Sequence, residues 1–330
     1  MYRNIEFVIF VAFVKCDTAE ADVLCGKYQC RNKHVKHICR YCHCPMSQAG
    51  NYKESWARKE QAPIQKLVEK GKLDRLKAMS QQYIQNAWYD VQFHDANKMG
   101  IHGACPSEML HAVLLGIFKY LREIFFKYMG DASNLSKKIN GLAQQYGQEF
   151  TRQSDRRFPK TSFSNGIAKG KLMGTEYRGV LLIMAAVLRS TNGREWLMRR
   201  KRFGGVPGLK DWTLLVELLL EWEAFLCLPR MKKAHVKRLE RKNRYIMYML
   251  HQVAKRVQGN GWGIFKYHAI LHLVQDMFLY GVPKEVGTGA NESHHKPTKQ
   301  VIRFRKCVIL WFRIALTLFH FGYFWLLSGS

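Results

Sequence analysis

Apolar residues recur along this chain in two rhythms. Residues 5–14 (IEFVIFVAFV) form a nearly unbroken run of Val, Ile and Phe. About ten such residues are too few to cross a bilayer as a helix, and they suit a strand buried on both faces. Over residues 61–89 the spacing changes to mixed threes and fours, through Ile64, Leu67, Val68, Leu73, Leu76, Met79, Tyr83 and Ile84, with Gly71 marking a break. Helical patterns then cover residues 107–128, 134–150, 175–188, 210–227, 231–257 and 264–280. Polar or Gly-rich connectors such as KTSFSNGIAKGK and RRKRFGGVPG lie between them. No fixed-length period repeats, which argues against a solenoid. One strand followed by a long helical middle predicts a mainly α protein with a partial α/β core carrying a large helical insertion.

The two ends of the chain break this pattern. The first fourteen residues invite a signal-peptide reading, but Glu6 interrupts the apolar run and no small-residue cleavage site precedes Lys15-Cys16-Asp17. Residues 308–327 (VILWFRIALTLFHFGYFWLL) carry one charge, Arg313, behind Arg303, Arg305 and Lys306. That length and flank fit a membrane tail anchor; a buried C-terminal helix and out-of-frame sequence are the other readings.

Charge narrows the partners. The chain holds 53 Lys+Arg against 25 Asp+Glu, a net charge of +28, which points to polyanions. Nucleic acid comes first, a membrane surface second, and a solvated basic exterior without a partner third. The clusters most suited to phosphate are Arg199, Arg200, Lys201 and Arg202, and then Lys232, Lys233, Lys237 and Arg238. The second of these also reads as a nuclear localisation signal or as the solvated face of a helix.

Residues 16–45 (CDTAEADVLCGKYQCRNKHVKHICRYCHCP) pack six of the nine cysteines and three histidines into one stretch without a helical period. A secreted disulfide framework spreads an even number of cysteines along a small domain; this clustering favours a reducing compartment and a metal. Cys39-x2-Cys42 has the spacing with which a turn presents two thiolates to one tetrahedral Zn2+, although it supplies only half a site. A redox pair and plain buried thiols are the alternatives. Glu108 and His111, one helical turn apart, either ligate a metal or satisfy each other. His268 and His272, at i and i+4, are placed as a helical metal pair or line a polar face; the glutamate of a zinc-protease motif is absent. Glu292 precedes His294 and His295 in a Gly-rich, basic stretch that also reads as a surface loop.

Taken in order, "CDTAEADVLCG…CRYCHCP", "CPSEMLHAVLLGIFKYL" and "KYHAILHLVQDMFLYG…ANESHHK" resemble the DDE transposases of the CACTA group, in particular its Plavaka-like branch. "MGTEYRG", from Met173, has the same look. The resemblance spans residues 5–300 and lies in the order of short motifs. It implies an incomplete RNase H-like catalytic core in residues 1–50, which also hold the Cys/His knuckle, a helical insertion over 51–262, a returning core helix with the last acid over 263–300, and an apolar tail over 301–330. It implies Asp17 and Glu292 as catalytic carboxylates on Mg2+ or Mn2+, and Cys39, Cys42, His111 and Glu108 around Zn2+. DNA is then the partner, the nucleus the location, and a homo-oligomer an option. The family reaction, two-metal cleavage and strand transfer of DNA, needs three convergent acids. Residues 1–16 contain no aspartate, so the expectation is a shortened, inactive derivative. A non-enzymatic, zinc-stabilised basic protein, binding nucleic acid or tail-anchored in a membrane, is the alternative.

Overall fold

The computed structural model describes residues 11–29, 35–93, 98–130, 133–152, 163–170, 172–174, 176–284 and 286–287. The protein is mainly α. Among the described residues extended pairing is limited to isolated bridges: Val11 with Phe93 in parallel, and Lys27–Gln81, His37–Pro45 and Cys42–Arg58 antiparallel. Most of the strand expected over 5–14 lies outside the described residues, as does the apolar tail. Among the described residues no helix is long and apolar enough to cross a membrane. The chain divides into two compact units, Met1–Gly287 and Thr288–Ser330.

The N-terminal part is built of short pieces. Helix α1 (Thr18–Leu24) starts where the Asp17 carboxylate accepts the Glu20 N–H at 2.7 Å. It ends at Gly26, whose φ of 62° is the left-handed turn that stops a helix. The amphipathic stretch after residue 60 becomes α2 (Gln61–Glu69) and α3 (Leu73–Ala78), broken at Gly71 as the pattern predicts. Their buried Ile64, Val68 and Leu76 form a small core of their own.

The single turn α4 (Ile101–Ala104) precedes the helical body. The pattern over 107–128 resolves into a π-helical stretch, Leu110–Phe118, running into α5 (Lys119–Met129). Next come α6 (Asn134–Arg152), α7 (Glu176–Arg189), α8 (Thr191–Met198), α9 (Lys201–Gly204), α10 (Leu209–Leu226) and α11 (Lys233–Val253). The chain returns through α12 (Phe265–His268), a tight 3-10 turn over Ala269–His272, and α13 (Leu273–Tyr280). Helix α7 packs between α6 and α10, α10 against α11, and α11 against α13. The main core lies among them, with Val180, Met184, Trp212, Leu219, Trp222 and Ile246 fully buried. Helices α8 and α9 fall in a stretch that reads as a connector; α8 exists because Ser190 caps it, accepting from Gly193 N at 3.0 Å, and because Leu197 is buried.

One polar chain couples this core to the returning segment. Trp222 Nε1 donates to Asn243 Oδ1 at 2.9 Å, and Asn243 Nδ2 donates to the Ile270 carbonyl at 3.1 Å. Asn243 thus joins α10 and α11 to the turn between His268 and His272. Asn243→Ala leaves a buried indole N–H and a carbonyl unpaired and should cost about 2–4 kcal/mol, read as a lower midpoint in urea denaturation.

Candidate metal centre

The 35–59 region contains almost no repetitive backbone bonding, so side chains must organise it. The chain turns back on itself at 37–45, where Ile38 N bonds the Cys44 carbonyl at 3.3 Å, and pairs with 57–59 through His43 N to Ala57 O at 3.0 Å and Lys59 N to Tyr41 O at 2.9 Å. At the tip the turn aims both sulfurs inward, with Tyr41 N donating to Cys39 Sγ at 3.3 Å. Facing them, the α12 end and the 3-10 turn place the two imidazoles four residues apart on one buried side.

Cys39, Cys42, His268 and His272 converge so that their ligand atoms all lie within 4.8 Å of one another. Cys39 Sγ is 3.3 Å from His272 Nε2, Cys42 Sγ is 3.3 Å from His268 Nε2 and 3.7 Å from His272 Nε2, and the two Nε2 atoms are 3.1 Å apart. A tetrahedral ion about 2.3 Å from sulfur and about 2.05 Å from nitrogen spans edges of about 3.6 Å (N to S) and about 3.3 Å (N to N). The four side chains therefore fit a Cys2His2 site of zinc size. All four are buried, which suits a closed structural site rather than one holding an open catalytic position.

The electrostatics agree. Burial alone would raise the Cys39 thiol, but the hydrogen bond with Cys42 and the facing imidazoles outweigh it and hold Cys39 well below the usual thiol range. Cys42 is pushed up by that same bond and then by burial. Burial takes His272 down to about 4, with Arg58 acting in the same direction, so its ring is neutral as a ligand must be. Two neighbours do not serve the ligand set: Arg58 Nη1 stands 2.5 Å from His272 Nδ1, a donor beside the nitrogen that carries the proton when Nε2 ligates, and His268 Nδ1 is buried without a hydrogen-bond partner.

Beside the centre runs a buried ionic chain. Asp22 pairs with Lys27 at 3.1 Å and with Arg40 at 3.7 Å. The Arg40 guanidinium lies over the Phe265 ring at 4.7 Å and donates to the Cys105 carbonyl at 3.2 Å. Tyr41 Oη donates to the same carbonyl at 2.6 Å and lies 3.1 Å from Ser107 Oγ, and Ser107 N donates to Asp276 Oδ2 at 3.1 Å. Burial raises the Asp276 carboxyl to about 7 and lowers the Lys59 ammonium to about 8.

The sequence-predicted residues are thus placed unevenly. Cys39 and Cys42 are in the cluster. His111 and Glu108 are not: the Glu108 carboxylate accepts from Leu110 N at 2.5 Å, His111 N at 2.6 Å and His111 Nδ1 at 2.5 Å, starting its own helix. The places expected for them are filled by His268 and His272, whose i, i+4 spacing was the available signal. Asp17 caps α1 and is half-buried, while Glu292 lies outside the described residues. Arg199, Arg200, Lys201, Lys232, Lys233, Lys237 and Arg238 are all exposed; Arg199 pairs with Glu195. The backbone of Arg202 belongs to α9.

Fold and site together define a mainly helical protein with a Cys2His2 centre. No protein-family model, curated protein or solved structure matches the chain.

Purified without chelator, the protein should carry about one Zn2+ per chain by elemental analysis. Cys39→Ser, Cys42→Ser and His272→Ala should each lose it and lower Tm, whereas His111→Ala should retain it. A second expectation concerns acid. His102 is fully buried with neither ring nitrogen hydrogen-bonded, and burial lowers it to about 3. The unfolded chain, with histidine near 6.5, binds this proton when the folded chain does not, so its contribution is present above about pH 6.5 and lost as pH falls towards 3. In that window His102→Leu should flatten the pH dependence of stability by up to about 1.4 kcal/mol per pH unit, measured as the difference between wild type and variant in urea titrations.

Proposed function

We propose that this chain is a transposase-derived protein that binds DNA through basic helical faces, with a structural zinc centre closing an RNase H-like core. The convergence of Cys39 and Cys42 with His268 and His272 carries this reading. In the resemblance the Cys-x2-Cys follows Asp17, and the histidine-bearing segment precedes Glu292. A single metal-tied junction between those two segments is what a catalytic centre assembled from distant acids requires. Lys266, beside His268, supports it: burial and Lys119 lower its ammonium, while Glu108 and Asp17 act in the opposite sense, so both carboxylates fall within its electrostatic reach.

In this reading Asp17 and Glu292 offer carboxylate oxygens to Mg2+ or Mn2+, the hard ions of phosphodiester cleavage and strand transfer. Zinc contributes stiffness rather than chemistry. One observation favours the non-enzymatic alternative: the Asp17 carboxylate is already engaged as the cap of α1. A nuclear protein that keeps its hold on DNA without the reaction would need the zinc and the basic faces alone.

DNA binding should be sequence-tolerant and fall steeply with salt, by roughly 0.9 log units per log of salt for each phosphate neutralised. Replacing Lys232, Lys233, Lys237 and Arg238 with alanine should weaken binding to all sequences and reduce the slope by roughly one for each phosphate no longer neutralised. Fluorescence anisotropy from 50 to 300 mM NaCl decides the matter: a flat salt dependence, or no binding at the low end, sinks the nucleic-acid reading.

A further inference from the structure

Helix α11 carries a face that neither the core nor the metal centre uses. One side buries Val236, Leu239, Asn243, Ile246, Met247 and Leu250. At 100° per residue, Lys237, Arg241, Tyr245 and Tyr248 fall within about 80° of one another on the opposite side. All four are exposed, and the row rises roughly 16 Å from Lys237 to Tyr248.

Its chemistry is unusual for a solvated helix. The helix holds six Lys and Arg against one acid, Glu240. Lys242 is paired with Glu221, and Arg244 with Glu240 at 3.8 Å. Lys233, Lys237, Arg238 and Arg241 have no acidic partner within ion-pair distance among the described residues. Amid these charges Tyr245 and Tyr248 are 45% and 41% exposed, their rings 6.2 Å apart between centroids and tilted by only 23°. Tyr248 is held from behind by Tyr52, edge-on at 6.2 Å. Arg244 fixes that arrangement, donating to the Tyr52 carbonyl at 2.5 Å and to Ser55 Oγ at 3.2 Å. At the helix's C-terminal end His251, Lys255 and Arg256 line a cavity of about 820 Å³, so the basic surface continues past the tyrosines.

We infer that this face binds single-stranded nucleic acid, with Tyr245 and Tyr248 stacking unpaired bases and Lys237 and Arg241 holding the phosphates between them. Exposed rings set among unpaired cations form the combination that tracks a single strand: every base has a π-face, and every nucleotide a charge. A duplex hides its base faces and would use the cations alone. A lipid surface would call for Leu, Phe or Trp on the face, and the row has none. The inference rests on the nucleic-acid reading above and narrows it to one face and one form of ligand.

The experiment measures anisotropy of labelled oligo(dT), oligo(U) and a mixed-sequence duplex against the full chain at 50–300 mM NaCl. Tyr245→Ala/Tyr248→Ala should weaken single-strand binding about 30-fold or more while duplex binding and the salt slope stay as in wild type. Tyr245→Phe/Tyr248→Phe should bind single strands within about threefold of wild type, because the ring is retained. Lys237→Ala/Arg241→Ala should weaken both forms and reduce the single-strand slope by roughly 0.7 for each phosphate no longer neutralised. The tighter of oligo(dT) and oligo(U) identifies the natural strand. Unchanged single-strand affinity in the tyrosine-to-alanine variant, with circular dichroism as in wild type, overturns this inference and leaves general DNA binding standing. No binding to any oligonucleotide overturns both, and capture by anionic vesicles in that case reassigns the face to lipid.

Discussion

Four side chains from opposite ends of the described chain must share one buried space. Two thiols and two imidazoles pressed within 4.8 Å of one another compete for few protons: each S–H satisfies one lone pair at a time, and a free thiolate carries charge into a dry interior. A divalent cation resolves the conflict by using all four lone pairs. Such an ion would brace the surrounding loops, because residues 35–59 hold only one short 3-10 turn and isolated bridges. The ionic chain from Asp22 through Arg40 and Tyr41 to Asp276 ties the same two regions in parallel.

The long helices were legible because an amphipathic helix writes its buried stripe into the sequence, and α6, α7, α10 and α11 begin and end within a few residues of the pattern. Helix α8 was not, because one buried leucine and a serine cap sit among the charges and glycine that otherwise mark a connector. The π-helical winding of Leu110–Phe118 was not either, since the same apolar residues fit both windings and Glu108 and His111 settle the start through local bonds.

Half of the metal centre was visible as Cys39-x2-Cys42, and the other half as the His268/His272 pair. What no local pattern states is that two half-sites 226 or more residues apart belong together. The motif order drew in His111 and Glu108 instead, and their mutual hydrogen bond shows why spacing alone misleads: a carboxylate one turn before a histidine satisfies that histidine as readily as it joins a metal. Chemistry on the surface was easier to find than to locate. Net charge pointed to polyanions without naming a surface, and Tyr245 and Tyr248 stood out only once the register of α11 placed them among the arginines and lysines.

Ligands drawn from both ends also set an order of events during synthesis. The ribosome releases Cys39 and Cys42 long before His268 and His272 exist; at 5–20 residues per second the gap is roughly 10–45 s. Throughout that interval the nascent chain offers a two-thiol half-site that holds an ion weakly, while Arg40, Tyr41 and Tyr52 can already meet Cys105, Ser107 and Arg244. The helices between can fold locally, each on its neighbour, whereas the Cys39/Cys42 half-site waits for His268 and His272. Closure of a Cys2His2 site would therefore come late in folding, and a chain stopped short of residue 268 would keep its helices and the contacts of its first sixty residues with Cys105, Ser107 and Arg244 yet lack two of the four ligands.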